Sequence, residues 1–318
     1  MYHNIMVPVD GSSFSREAVL HGLRIASRCG ANLRLVRVAV SPFTLGSPDG
    51  YAIESEGLRQ QRASALADLY SIAVECRSHT TVNVTASLEM GPVIDALVGY
   101  ARRHDVDLIV MRSHGRKGLA RVWFGSVADK LIRDSGIPVL VVRPPSIATG
   151  LENGILFNRI LVPLDGSGLA EQSLDSAVSL ARTDGSTLTL VRVVPPARRE
   201  IGVVESEIGQ ASSDDVASAR RYLDSLLTSP EYRSIPVKRR VVVADDAAAA
   251  ILKIAEAGET DLIAIATRGR NPVARAASGS VADFLMREST SSVLVVHPRI
   301  HIVEAAAVAA ATQSALVY

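Results

Sequence analysis

The chain carries one domain's pattern twice, and that duplication constrains its fold more than any other feature. HNIMVPVDGS (3–12) reads against NRILVPLDGS (158–167), and LRLVRVAV (33–40) against LTLVRVVP (188–195), both at an offset of 155. SHGRKGLARVWFGSVADKLIR (113–133) reads against TRGRNPVARAASGSVADFLMR (267–287), and IPVLVVRP (137–144) against SSVLVVHP (291–298), at 154. A drift of one residue across whole half-chains marks two copies of one unit. The expected division is a first domain over 1–146, a linker over 147–158, a second domain over 159–298 and a tail over 299–318.

Within each copy, apolar runs alternate with segments of helical spacing. Strands are predicted over 4–9, 32–40, 81–88, 107–112 and 138–143, and again over 159–164, 187–194, 236–243, 261–266 and 292–297. These runs are rich in Val, Ile and Leu and mostly unalternating, as strands buried on both faces of a parallel sheet require. Helices are predicted over 15–29, 57–77, 91–103 and 125–135. In the first, Ala18, Val19, Gly22, Leu23 and Ala26 form the inward stripe, with Arg16, Glu17, Arg24 and Arg28 turned outward. Alternating β and α elements predict an α/β fold of two Rossmann-like domains, each a five-stranded parallel sheet flanked by helices. The long connections 41–56 and 195–213 follow the second strand of each copy and read as lids or surface loops.

Composition excludes several function classes. Thirty-four Lys and Arg against thirty-three Asp and Glu argue against a protein built to wrap nucleic acid or lie on an anionic membrane. Residues 1–150 hold 17 basic and 13 acidic side chains, leaving 17 and 20 for the rest, so the halves attract each other weakly. Aromatic residues at 4% offer no stacking platform for single strands. Cys29 and Cys76 lack CxxC spacing, which argues against disulfide or zinc scaffolding, and the opening MYHNIMVPVDGSS has no signal-peptide pattern. The expectation is a cytoplasmic protein.

Ligands in an open parallel sheet sit beyond the carboxyl ends of the strands, where strand order reverses. Beyond the fourth strand of each copy lies Gly115, nine residues, then Gly125-Ser126, matched by Gly269, nine residues, then Gly279-Ser280. Glycines admit close backbone approach, and a serine heading a helix stands where free N–H groups and the positive dipole end favour an anion. A single such loop is weak, because Gly-Ser is also an ordinary helix start. Its appearance after equivalent strands of both copies strengthens it.

With the opening strand ending Pro-x-Asp-Gly-Ser (Pro8, Asp10; Pro163, Asp165) and the closing strand VLVV, these motifs make the chain resemble the universal stress protein family in its tandem form. The likeness covers nearly everything but the tail. It implies the adenine nucleotide alpha hydrolase-like strand order 3-2-1-4-5, an ATP site at the carboxyl edge of each sheet, with Mg2+, and pairing of the closing strands 138–143 and 292–297. Residue by residue, it implies that Asp10 and Asp165 approach the nucleoside, that Val38 and Val193 line the adenine pocket, and that Gly115, Gly125, Ser126, Gly269, Gly279 and Ser280 hold the phosphates. The chain departs from the motif at its first glycine, which is Arg112 in copy one and Ala266 in copy two. Alanine adds a methyl group. Arginine either grips a phosphate through its guanidinium or fills the nucleotide's place.

Other residues carry plainer readings. Asp10 and Asp165 suit Mg2+ or a ribose hydroxyl, and equally the N–H groups of their own turn, in which Ser12 and Ser167 read as caps. Gly91-Pro92 becomes Asp245-Asp246-Ala247 in copy two, which changes the start of the third helix. His114 faces Arg268 at the matching position, which favours a polar loop residue over an acid or base. Arg116, Lys117 and Arg121 make a small basic cluster, Trp123 and Phe124 read as packing residues, and His297 and His301 lack companions for a metal site. No nucleophile, base and orienting partner assemble, so the expectation is not an enzyme, beyond an incidental ATPase. The function expected is ATP-dependent switching of a protein partner in a stress response. The alternative is a nucleotide-free, dimer-like scaffold, with homodimers open in either case. An adenylating enzyme would carry SGGxDS or HIGH, and neither occurs.

Overall fold

The computed structural model describes residues 1–39, 56–78, 80–112, 126–143, 156–197, 212–267 and 280–297. In copy one the elements run β1 (Asn4–Pro8), α1 (Ser13–Cys29), β2 (Asn32–Ala39), α2 (Glu56–Ser78), β3 (Val84–Met90), α3 (Val93–Arg103), β4 (Leu108–Arg112), α4 (Ser126–Asp134) and β5 (Val139–Val142). Copy two repeats them as β6 (Arg159–Pro163), α5 (Gly168–Asp184), β7 (Thr187–Val194), α6 (Ser213–Leu226), β8 (Val237–Val243), α7 (Ala247–Ile254), β9 (Leu262–Ala266), α8 (Ser280–Glu288) and β10 (Ser292–Val296).

All ten strands join one sheet in the order β3-β2-β1-β4-β5-β10-β9-β6-β7-β8. Each half is parallel throughout and has the order 3-2-1-4-5 expected of it. The halves meet at β5 and β10, which pair antiparallel with Leu140 opposite Leu294. The closing strands therefore do pair, and they fuse two sheets into one.

Alternate residues along each strand feed two apolar layers. Ile5, Val7, Leu108 and Val110 pack under α1 and α2, and the same layer continues to Leu174 of α5 and Leu223 of α6. Met6, Ile109 and Met111 face the other way, toward Leu97 and Tyr100 of α3, Leu131 of α4, Ile251 of α7 and Leu285 of α8. Each layer spans both copies, so neither half buries its faces alone.

Local chemistry sets the boundaries. Ser12 caps α1 by accepting from the Ser15 N–H, and Ser167 caps α5 by accepting from Ala170. Both helices stop at a glycine in the left-handed region, Gly30 (φ 67°) and Gly185 (φ 69°). The third strand begins later than 81 because the Val82 N–H is taken by the Thr80 hydroxyl at 3.2 Å, which turns the chain before β3 starts. At the third helix, Pro92 caps α3 without a side-chain bond, whereas Asp246 caps α7 by accepting from Ala248 and Ala249. The outward face expected for α1 is corrected in part. Arg16 and Arg28 are exposed, but Glu17 and Arg24 are half-buried, and His21 and Ile25 join the buried stripe.

Candidate functional site

The carboxyl ends of β1, β2 and β4, with the first turns of α3 and α4, enclose a cavity of about 340 Å³. Its wall is mostly apolar: Val36 and Val38 from β2, Val93 and Leu97 from α3, Met111 from β4 and Val127 from α4. Among the described residues, polar groups enter from four places, namely Asp10 and Ser12 after β1, Ser15 in the first turn of α1, Arg112 at the end of β4, and Ser126 heading α4. Pro8, Asp10, Val38, Arg112 and Ser126, which the sequence singles out separately, thus line one cavity. Phe14, Ser15, Val36, Leu97 and Met111 line it too, and nothing in their sequence spacing marks them. In copy two, Pro163, Asp165, Val193 and Ala266 lie at the matching ends of β6, β7 and β9, and Ser280 begins α8. Gly115, Gly125, Gly269 and Gly279, along with His114, Arg116, Lys117, Arg121, Trp123, Phe124 and His301, lie outside the described residues. So do the tail and most of both long connections.

The two aspartates are organised alike. Asp10 Oδ1 accepts from the Ser12 N–H at 2.9 Å and from the Ser12 hydroxyl at 2.6 Å. Asp165 Oδ1 accepts from Ser167 at 2.9 and 2.5 Å. Partial burial works against ionisation of Asp10, but the Ser12 hydroxyl and amide outweigh it and hold the carboxyl below its ordinary value. Asp165 shows the same balance, with the nearby Arg192 charge adding to it. Both are ionised acceptors at neutral pH. Behind Asp10, Arg37 closes on Gly11 so tightly that a Cβ there would lie 3.0 Å from its Nη2. Arg192 covers Gly166 in the same way, at 3.2 Å.

The copies differ around this shared frame. Asp68 of α2 is bridged to Arg16 at 2.9 Å and to Arg37 at 3.1 Å. In copy two the Tyr222 hydroxyl donates to Glu171 at 2.9 Å, and Arg192 lies 5.7 Å from the Tyr222 ring centre. Arg112 is paired with Glu17 of α1, and its guanidinium carbon lies 4.9 Å from the Phe14 ring centre. Glu17 is therefore a partner of the pocket rather than a solvated residue. His21, one turn on, donates from Nδ1 to the Glu17 carbonyl at 3.0 Å. Burial pushes His21 below its ordinary pKa despite that bond, and the Arg24 and Arg112 charges push the same way.

Among the described residues no three His, Cys, Asp or Glu side chains cluster to hold a metal, and no helix is long and apolar enough to cross a membrane.

Two tandem doubly wound units, sharing one sheet and matched at their carboxyl edges, define the class of protein. The family model described as "Universal stress protein family" matches residues 1–143 and 156–297, and the chain belongs to that family. A universal stress protein of Methanocaldococcus jannaschii is 34% identical over 147 residues, covering 46% of this chain and 84% of its own. One of Mycolicibacterium smegmatis is 25% identical over 310 residues, covering 93% of this chain and 98% of its own. Among solved structures, a universal stress protein from Archaeoglobus fulgidus superposes with a TM-score of 0.69 at 18% identity, over 92% of this chain and 98% of that one.

Proposed function

We propose that the chain is an ATP-binding regulatory protein of a stress response, with a nucleotide held at the carboxyl edge of each half. The observation that carries the reading is the copy-one cavity, which brings Pro8, Asp10, Val38, Arg112 and Ser126 together. Its volume of about 340 Å³ suits a small molecule, since such pockets run from ~300 to ~1,000 Å³. Val36, Val38, Leu97 and Met111 offer an apolar slot for a flat base. Asp10, ionised and acceptor-only, suits a sugar hydroxyl. The first turn of α4 supplies unpaired N–H groups and the positive dipole end for phosphate. Asp10 and Asp165 also suit Mg2+, which would offset phosphate charge. Family membership adds weight to a stress-response role.

No catalytic step is assigned. The Ser12 hydroxyl is bonded to Asp10, and among the described residues no histidine lines the cavity to act as its base. Function would follow instead from ATP-dependent exposure of a partner surface, in the cytoplasm. Limited proteolysis with and without Mg·ATP tests the switching, and identical digests would remove it.

The binding itself is tested by heat-denaturing freshly purified protein and quantifying released nucleotide per chain by chromatography and mass spectrometry. One or two ATP per chain is the expected result. Asp10→Ala and Asp165→Ala then assign each to its copy by which one is lost. No nucleotide, followed by no ATP heat in calorimetry, would overturn the reading in favour of a nucleotide-free scaffold.

A further inference from the structure

We infer that Glu17 sets the anion affinity of the copy-one pocket: it holds Arg112 against α1, so a phosphate-bearing ligand binds there by taking that guanidinium from Glu17, and the two copies select ligands differently. This rests on the nucleotide reading above and extends it to a residue outside the family motif.

Arg112 ends β4, and its side chain, only 9% exposed, lines the cavity between Phe14 and Ser126. Glu17 is 33% exposed and reaches it from α1. A carboxylate and a phosphate seek the same fork of guanidinium donors. While Glu17 holds Arg112, the pair brings no net charge, and Asp10 leaves the described lining of the pocket negative. A triphosphate entering such a pocket must compete for Arg112, the one cation lining it among the described residues.

Copy two shows that these residues form a unit. At the matching positions stand Leu169 for Phe14, Gln172 for Glu17 and Ala266 for Arg112, so ring, carboxylate and guanidinium are lost together. The flanking Asp10, Ser12 and Ser126 keep their type as Asp165, Ser167 and Ser280. His21 also belongs to the unit and becomes Ser176. Burial keeps the His21 imidazole uncharged, so it does not relieve Arg112 of its hold on Glu17.

The test is calorimetry of the full chain with ATP and, separately, adenosine, in a Val193→Trp background that fills the copy-two slot. Glu17→Gln should tighten ATP about tenfold and leave adenosine unchanged, because only the phosphate competes with the carboxylate. Arg112→Ala should weaken ATP about tenfold, again sparing adenosine, and in its presence Glu17→Gln should have no effect. Grafting the unit into copy two (Leu169→Phe, Gln172→Glu, Ala266→Arg) on an otherwise unaltered chain gives a second reading free of copy-one folding defects. It should raise the ATP-to-adenosine preference of copy two, and by more when Gln172→Glu is left out of the graft. ATP affinity unmoved by Glu17→Gln, or tightened by Arg112→Ala, would overturn the inference while leaving nucleotide binding intact. Neither ligand binding any variant or the parent would overturn both.

Discussion

At the scale of single residues, the two copies serve as controls for each other. Gly22 of α1 lies over β1 and β2 so closely that a Cβ would sit 2.6 Å from Val7 Cγ2 and 3.2 Å from Leu33 Cδ1. Copy two has Ala177 at that position, facing Val162 and Leu188, the same two residue types. The strands are thus alike, and helix and sheet have adjusted to the residue between them. Alanine for glycine gains ~1 kcal/mol of helix propensity, but overpacking a stiff valine costs ~1–3 kcal/mol. Gly22→Ala should therefore destabilise by about 1 kcal/mol net in urea unfolding. The reverse change, Ala177→Gly, should also destabilise, by about 1 kcal/mol or more from lost propensity and an opened void. Propensity alone predicts opposite signs, and a stabilised Gly22→Ala would refute the packing argument. Glu17 shows where reading residue by residue fails. It falls at the edge of the α1 apolar stripe, and its partner Arg112 is 95 positions away, so helical periodicity turns it to solvent. Only the joint change of positions 14, 17 and 112 between copies carries the signal.

At the scale of elements, most of the fold is legible because the repeat gives every strand and helix two independent readings. Strand type follows from unalternating apolar runs, strand order from the family resemblance, and the helix starts from Ser12 and Ser167. The start of β3 is not legible, because Thr80 takes a backbone donor that an apolar pattern does not reveal. The end of β10 holds a further consequence. His297, just past the strand, is buried beside Thr267, with Nδ1 3.4 Å from the Thr267 hydroxyl. Burial lowers its pKa from 6.5 to about 4. Folding thus favours the neutral ring, and the unfolded chain binds the extra proton between those values. The contribution is full above pH 6.5 and is lost as pH falls through the window to about 4, amounting to about 3 kcal/mol at most. Urea unfolding of wild type and His297→Gln at pH 7, 5.5 and 4.5 checks this. The wild type should lose its advantage as pH falls, and parallel curves would rule the effect out. Asp184, whose carboxyl burial raises against the pull of Arg28, titrates in both chains and cancels in the comparison.

At the scale of the whole molecule, the pseudo-twofold contact between α1 and α5 has been made unequal. The offset of 155 maps Arg28 onto Thr183 and Cys29 onto Asp184. One half of the contact is therefore an ion pair, Arg28 to Asp184 at 3.2 Å, with Arg28 also donating to the Thr183 carbonyl at 3.1 Å. The other half is a thiol against a hydroxyl, Cys29 to Thr183 at 3.6 Å. Asp184 is 2% exposed, and its other oxygen accepts from Leu156 and Phe157 at 3.2 and 3.3 Å. An interface between two first copies would set Arg28 against Cys29 twice, with no carboxylate to meet it. Between two second copies it would bury Asp184 against Thr183 twice, with no arginine. An isologous contact has become one that only unlike halves satisfy, which specifies the internal pairing against copies of either half. Arg28→Ala should cost about 1–3 kcal/mol, since it strands a buried carboxylate whose partner was itself partly exposed. Asp184→Asn keeps an acceptor for Leu156 and Phe157 and should cost less. In the double variant the penalty for stranding the carboxylate vanishes, so the two losses should not add, with a coupling of about 1 kcal/mol in a urea double-mutant cycle. Additivity within about 0.3 kcal/mol would mean the pair contributes nothing, and the pairing of the halves would then rest on the β5–β10 ladder and the apolar layers alone.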